Sequence, residues 1–267
     1  MIRLLFIGDV VGFTGLDFVC ENLNSLIEKN KSNFVVVNGE NICNGKGITE
    51  REANMLFELG VNVITTGNHI WENWISKPLL KSNANVLRPY NYPIGNIGKG
   101  YLILKHNSGV DIAVIQLQGR IFMAPIDCPF RGVENILKRI GQKIDVIIVD
   151  FHAEATSEKV TMARFLDGKV SAIIGTHTHI QTADAQILPK GTAYISDVGM
   201  SGPHNSVLGL RNDVALNRFY YQIAHKYESA TEDNRICGVT VEIEAETGRA
   251  ISINNFAFPE FVNVVTF

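Results

Sequence analysis

The sequence predicts an α/β fold in which two mixed β-sheets pack as a sandwich flanked by helices. Two observations predict it. Over the first two-thirds of the chain, short runs of aliphatic and β-branched residues, typical of buried strands, alternate with amphipathic helical patterns. The last third, residues 185–267, is mostly strand-like. We expect one domain over residues 1–267, with a small cap as an alternative for part of residues 83–119.

Apolar runs and their flanking residues predict the elements of the first two-thirds. Apolar residues at helical spacing predict a helix over Leu16–Lys29, and a second helix is predicted over Ser157–Leu166. A capping box of Thr49 and Glu52 predicts a helix that continues through Ala53–Leu59. The predicted strands are Ile2–Ile7, Phe34–Val37, Val61–Thr65, Val146–Val149 and Ser171–Ile174.

Two further pairs of strand-like runs occur later in the chain. Tyr101–Lys105 and Asp111–Leu117 lie in a segment rich in glycine and proline, so this segment is either a cap or part of a sheet. Cys237–Ala245 and Ala250–Phe258 are separated by four residues, which predicts a closing hairpin.

Composition excludes several classes of protein. With 46% hydrophobic and 19% charged residues the chain can bury a large core, which excludes a disordered protein. The net charge of -3 argues against nucleic-acid binding through a global positive field. The four cysteines form no C-x-x-C pair, which disfavours a thiolate zinc site and fits a reducing compartment. Without a signal-peptide pattern or a long apolar stretch, we expect a soluble cytoplasmic protein that does not enter membranes.

Side chains able to bind a metal follow each of the five predicted strands. Open α/β sheets bind ligands beyond the carboxyl ends of their strands, so parallel neighbours would bring all five clusters to one patch. Each cluster alone is also typical of a turn or of a buried histidine, and their shared position is what predicts a site. The clusters are Gly8-Asp9, Asn38-Gly39-Glu40-Asn41, Gly67-Asn68-His69, Asp150-Phe151-His152-Ala153-Glu154 and Gly175-Thr176-His177-Thr178-His179.

The mixture of ligand types indicates which ions would bind. Imidazole together with carboxylate and amide oxygen suits Mn, Fe, Zn, Co or Ni, whereas calcium prefers oxygen alone. The clusters contain enough ligands for two ions. A bridging carboxylate would hold two ions ~3.5–4 Å apart, the spacing used in phosphoryl chemistry.

These motifs resemble those of the calcineurin-like metallophosphoesterases, in the same order over residues 1 to about 180. Two positions differ from the wider family. Val11 stands where that family usually has a histidine, and Glu40 stands where it usually has an aspartate. The departures resemble one branch, the YmdB-like bacterial cyclic-nucleotide phosphodiesterases. Gln118–Met123 and Asp197–Pro203 also resemble that branch and extend the similarity over nearly the whole chain.

The resemblance implies a metallophosphoesterase-type sandwich and a dinuclear phosphodiesterase, with Fe or Mn as the foremost ions in divalent or mixed-valence form. Glu40 would bridge the ions; Asp9, Asn41 and His179 would complete one site. Asn68, His152 and His177 would complete the other. A hydroxide held by the metals would attack the phosphorus of a small phosphodiester such as 2′,3′- or 3′,5′-cyclic AMP, and His69 would protonate the departing oxygen.

Other functions remain open at the level of sequence. A phosphomonoesterase would use the same metals with a different pocket, and a nuclease is disfavoured by the charge. A regulator could keep the metal site and act through an RNA-processing partner. A homo-oligomer is compatible with the resemblance. Arg120 could bind a phosphate or form a surface salt bridge. The loop 201–206, which looks flexible by composition, could cover the site, contact a neighbouring subunit or be a surface turn.

Overall fold

Two mixed sheets face each other across an apolar core, and helices cover their outer surfaces. The computed structural model describes residues 1–141 and 144–261. The helices are α1 (Gly12–Lys29), α2 (Glu50–Glu58), α3 (Ser76–Ser82), α4 (Pro129–Ile140), α5 (Thr156–Leu166) and α6 (Asn212–Tyr221), with a 3₁₀ helix at Asn68–Trp71. None of the helices in the described ranges has the length and apolar character needed to cross a membrane.

The first sheet has the strand order β2-β11-β12-β1-β3-β4, and β13 also pairs with β12. Strand β1 is parallel to β3, and β3 is parallel to β4, so the chain leaves all three strands at the same edge. The strands are β1 (Ile2–Ile7), β2 (Asp9–Val10), β3 (Phe34–Asn38), β4 (Val63–Thr65), β11 (Met200–Pro203), β12 (Asn234–Ile243) and β13 (Ala250–Phe258).

The second sheet has the strand order β5-β6-β7-β8-β10-β9. Strands β6, β7 and β8 run parallel, which brings the ends of β7 and β8 side by side. The strands are β5 (Tyr101–Lys105), β6 (Asp111–Gln118), β7 (Val146–His152), β8 (Ala172–Thr176), β9 (Gln186–Ile187) and β10 (Ala193–Ile195).

The alternation of side chains along the strands creates the layers. Phe6 of β1 lies in the inner core with Val36 of β3 and Ile148 of β7, so this core joins the two sheets. Its neighbour Leu5 points the other way and packs with Leu16 of α1. Helices α4 and α5 cover the outer face of the second sheet in the same manner. The predicted sandwich of two mixed sheets flanked by helices is confirmed.

Most of the predicted elements are present, with small shifts at their ends. The capping box of Thr49 and Glu52 forms at the start of α2, and the closing hairpin forms from β12 and β13. Strands β5 and β6, in the segment for which a cap was the alternative, are part of the second sheet. Strand β7 continues to His152, so this histidine is the last residue of a buried strand.

Three details of the structure add to or differ from the expectations. The five apolar strands are not all parallel neighbours: three belong to the first sheet and two to the second, and their ends meet because the sheets are stacked. The last third is not all strand, since Asn212–Tyr221 forms α6. Residues 201–203, which look flexible by composition, belong to the buried strand β11. Ser206 bonds back to the Pro203 carbonyl oxygen in the turn that follows.

Candidate metal centre

The candidate centre lies where the carboxyl ends of the two stacked sheets meet. Glu40 follows β3, whereas His152 ends β7 and His177 follows β8. The backbone of Gly67 passes between the first two of these side chains. A Cβ atom there would overlap the ring of His152 and the carboxylate of Glu40, so only glycine allows this close approach.

Three lone-pair-bearing groups surround Nε2 of His152. This atom lies 2.9 Å from Glu40 Oε1, 3.1 Å from Asn68 Oδ1 and 3.0 Å from His177 Nδ1. A ring nitrogen carries at most one proton, which cannot satisfy three acceptors at once. Such a convergence of imidazole, carboxylate and amide oxygen fits a transition-metal ion.

A hydrogen-bond chain determines which nitrogen of His152 faces the centre. The Thr176 hydroxyl donates its proton to Asp150 Oδ1 over 2.7 Å, so its oxygen accepts from Nδ1–H of His152 over 2.9 Å. Asn38 Nδ2 donates to the other oxygen of Asp150 over 3.1 Å. The tautomer with the proton on Nδ1 presents Nε2 to the centre, as a metal-binding histidine requires.

The electrostatics of the cluster favour positive charge at this point. Burial opposes ionisation of His152 most strongly, but the neighbouring carboxylates, Glu40 foremost, together raise the pKa of His152 to about 9. Burial would raise the pKa of Glu40, yet the histidines around it, His152 first, lower that pKa to about 2. Burial and then the charge of His152 lower the pKa of His177 to about 3, so its ring stays neutral, the form that binds metals.

A second group of predicted ligands lies beside the first. Asn41 Nδ2 is 3.3 Å from Glu40 Oε1 and 3.3 Å from His179 Nε2. The His179 Nδ1–H donates to the Leu208 carbonyl oxygen over 3.1 Å, which leaves Nε2 facing the centre. A half-turn of the Asn41 amide would exchange Nδ2 for the oxygen that a metal prefers.

Asp9 supplies an unsatisfied carboxylate oxygen to the same region. Its Oδ2 accepts from the His177 amide over 3.2 Å, whereas Oδ1 is buried without a hydrogen-bond partner and lies 3.9 Å from His152 Nδ1. Burial, reinforced by the neighbouring carboxylates and opposed by His152, raises the pKa of Asp9. A buried carboxylate oxygen without a partner is destabilising unless a cation or donor compensates it, so this group fits a second ion.

The turn that carries the two histidines after β8 has an unusual backbone. His177 and His179 adopt φ angles of +104° and +65°, which are strained for residues other than glycine. Between them, the amide and the hydroxyl of Thr178 donate to Asp197 Oδ2 over 2.9 and 2.8 Å. The ammonium of Lys159 bonds to the same oxygen over 2.8 Å, in a buried ion pair that holds the turn.

His69 lies next to the ligand cluster without being part of it. Its amide donates to Glu40 Oε2 over 3.1 Å, and its ring nitrogen Nδ1 lies 2.9 Å from Glu72 Oε1. Glu72 in turn pairs with Lys46 over 2.6 Å. The ring is thereby oriented by a carboxylate at one nitrogen, and it borders a cavity beside the centre.

A cavity of about 550 Å³ opens beside the centre, a size typical of sites for small organic ligands. Arg120 and residues 201–206 do not line it. The Arg120 amide donates to Glu158, and its guanidinium forms no ion pair within the described ranges. The lining residues are Asn41, Gly45, Lys46, His69, Glu154, His177, Thr178, His179, Val207, Leu208, Leu210, Arg218, Phe219, Gln222 and Tyr227.

The structure thus brings all eight sequence-predicted residues to one edge of the molecule, while the ligand roles assigned to them stay predictions. Sequence reasoning did not assign roles to the supporting residues Asp150, Thr176, Lys159 and Asp197. Asp150 could have been found, because it precedes His152 by two residues in a strand and therefore shares its face. The pair of Lys159 and Asp197 has no such signal, since it joins a helix to a distant loop.

Comparison with known proteins finds a family and relatives that match most of the chain. The family model described as "YmdB-like protein" matches residues 5–256. A protein of Bacillus subtilis (strain 168) named "2′,3′-cyclic-nucleotide 2′-phosphodiesterase" is 43% identical over 251 residues, which cover 94% of this chain and 95% of the relative.

Two crystal structures share the fold closely. A hypothetical protein from Thermus thermophilus superposes with a TM-score of 0.90 at 40% identity, covering 96% of this chain and 98% of the other. A protein from Mycoplasma pneumoniae described as a novel phosphatase also gives a TM-score of 0.90, at 34% identity, covering 96% and 92%.

Proposed function

The chain belongs to the YmdB-like protein family, and on that premise we propose that it is a dinuclear metal-dependent phosphodiesterase that acts on 2′,3′-cyclic nucleotides. It is a hydrolase of phosphoric ester bonds, as its relatives are named. The observation that carries the proposal is the convergence of Glu40, Asn68 and His177 on Nε2 of His152. A structural histidine would not need three acceptors at one nitrogen.

Two groups of residues would hold the ions. Asn68, His152 and His177 would bind one ion, and Asp9, Asn41 and His179 the other, with Glu40 shared between them. The imidazole-rich donor set suits Fe or Mn foremost, and Zn, Co or Ni as alternatives. When bound, such ions activate a water molecule at neutral pH and neutralise the charge that develops on the phosphate.

The side chains around the metal ligands would carry out the remaining steps of the reaction. His69 would donate a proton to the departing ribose oxygen, because it borders the cavity without belonging to the ligand cluster. Glu72, at 2.9 Å from Nδ1, keeps that ring oriented. Glu154, whose Oε2 lies 3.1 Å from Nε2 of His177, orients that ligand from the side facing the cavity.

The first experiment removes and restores the metal. We expect protein stripped by a chelator to hydrolyse bis(p-nitrophenyl) phosphate slowly and to regain activity when Mn²⁺ or Fe²⁺ is added. The ratio of metal to protein at full activity should approach two. Cyclic 2′,3′-AMP, cyclic 3′,5′-AMP and p-nitrophenyl phosphate, assayed in parallel, separate the two kinds of diester from a monoester. Folded protein that stays inactive with metal would overturn the proposal and favour a regulatory role.

A further inference from the structure

The cavity beside the centre has two walls of different character. The polar wall comes from the strand ends and carries Asn41, His69 and His179. The apolar wall comes from the segment 207–227. It consists of Val207, Leu208, Leu210, Phe219 and Tyr227. The walls are directly connected, because the carbonyl of Leu208 accepts the hydrogen bond from His179. The apolar wall therefore lies directly beside the centre.

Three side chains of the apolar wall, those of Val207, Leu208 and Phe219, are exposed. Phe219 is 75% exposed and Leu208 is 45% exposed, whereas Leu210 is buried in a small core with Val214 and Ala215. Leu208 also has a φ angle of +55°, a conformation in which a bulky residue is strained and glycine is not. A strained, exposed leucine beside an exposed phenylalanine suits the recognition of an apolar surface of a ligand.

Arg218, next to Phe219, adds unused hydrogen-bond donors to this wall. Within the described ranges its guanidinium forms no ion pair and no hydrogen bond, whereas Lys46, the lysine of the cavity wall, is paired with Glu72. A planar guanidinium offers five N–H groups to acceptors on a ligand. The apolar wall thus combines the face of the Phe219 ring with N–H donors of Arg218 that have no partner among the described residues.

We infer that the apolar wall is a nucleobase subsite, in which the base stacks on Phe219 against Leu208 and its ring acceptors bind Arg218. The inference rests on the proposed function, since the phosphodiester of the same ligand would lie at the metal centre. A flat heterocycle with acceptors, joined through a sugar to a phosphate, matches both walls of the cavity. Base–aromatic stacking contributes enough to binding that its loss is readily measured.

The test compares a substrate that has a base with one that lacks it. Phe219→Ala in the metal-loaded enzyme should lower kcat/KM for cyclic 2′,3′-AMP roughly tenfold, mainly through KM. It should leave kcat/KM for glycerol 1,2-cyclic phosphate unchanged. Phe219→Trp should restore most of the loss, and Arg218→Met should reproduce a smaller part of it. The control is Tyr220→Ala, because Tyr220 is 81% exposed on the same helix but does not line the cavity.

The outcomes separate this inference from the proposed function. Equal effects on both substrates would show that Phe219 supports the fold of the site and would overturn the base subsite, as would no effect on either. If the wild-type enzyme hydrolyses neither diester, the proposed function fails instead. Titration with 3′-AMP then decides the subsite: tenfold weaker binding to Phe219→Ala, with inorganic phosphate binding unchanged, supports it, and equal binding overturns it.

Discussion

The two halves of the candidate centre are held by different parts of the protein. We call Asn68, His152 and His177 the strand half, after the strand that ends at His152, and Asp9, Asn41 and His179 the loop half, after the segment that anchors His179. In the strand half, Nδ1 of His152 donates to the hydroxyl of Thr176 in β8. That hydroxyl donates in turn to Asp150 of the buried strand β7. In the loop half, His179 is anchored on a backbone carbonyl of the segment 207–227, and Asn41 lies in the turn after β3.

This difference implies that the two ions would not be held equally. A histidine that ends a packed strand keeps its geometry without the ion, whereas a histidine anchored on an exposed segment must be ordered when the ion binds. We therefore expect the strand half to bind its ion more tightly, and the loop half to respond more to changes in the segment 207–227. The following variants test that expectation, beginning with the residue that both halves share.

Glu40→Gln should have the largest effect because it removes the charge common to both halves while keeping the side chain's size. We expect both ions to be lost on gel filtration and turnover to fall on the order of 10³-fold or more. Metal content by plasma mass spectrometry and hydrolysis of bis(p-nitrophenyl) phosphate measure the two effects. The matched control is Glu28→Gln on the exposed face of α1. Retention of both ions would contradict the bridging role.

His69→Ala tests a residue that belongs to neither half. We expect kcat for cyclic 2′,3′-AMP to fall about 10²- to 10⁴-fold, because the departing oxygen loses its proton donor. Metal content should stay at the wild-type value. His225→Ala, which replaces an exposed histidine outside the centre, serves as the control. A near-normal rate with unchanged metal content would remove His69 from the mechanism.

Thr176→Val addresses the strand half alone. It deletes the hydroxyl that fixes the tautomer of His152, and loss of such a supporting bond typically weakens metal binding 10- to 100-fold. Thr192→Val is the control, since this buried threonine also loses two hydrogen bonds, to Gly168 and Val170, away from the centre. Isothermal titration with Mn²⁺ should show weakening of the tighter ion in the first variant only. Equal weakening in both would mean that general destabilisation is responsible.

The two halves also differ in how well the sequence predicts them. In the strand half, an apolar run followed by a histidine indicates a buried strand that ends at a ligand, and β7 ends at His152. In the loop half, the anchoring segment belongs to the last third, for which the sequence predicts mostly strands, yet it contains α6. Only Val214 and Ala215 of that helix are buried, so it has no broad apolar face that would indicate a helix. Which sheet each strand joins was also not predictable, since that depends on contacts between distant runs.

Gly45→Ala should have the smallest effect, confined to the loop half. Gly45 has a φ angle of +78°, its amide bonds to the carbonyl of Asn41, and a Cβ atom would lie 2.6 Å from Cζ of Tyr227. The added methyl group must therefore shift either the turn that carries Asn41 or the ring that packs on it. We expect roughly threefold to tenfold weaker binding of the second ion, with the first unchanged, in a Mn²⁺ titration.

The control for this variant separates backbone strain from the contact with Tyr227. Gly95 has a φ angle of +98°, and a methyl group added there would have no heavy atom within 4 Å, so Gly95→Ala introduces the strain without the contact. Both variants should lose about 1 kcal/mol of stability from the strained alanine, as measured by urea unfolding. Only Gly45→Ala should change metal binding. If the tighter ion weakens instead, the loop half is the better ordered of the two, and the contrast drawn between the halves is reversed.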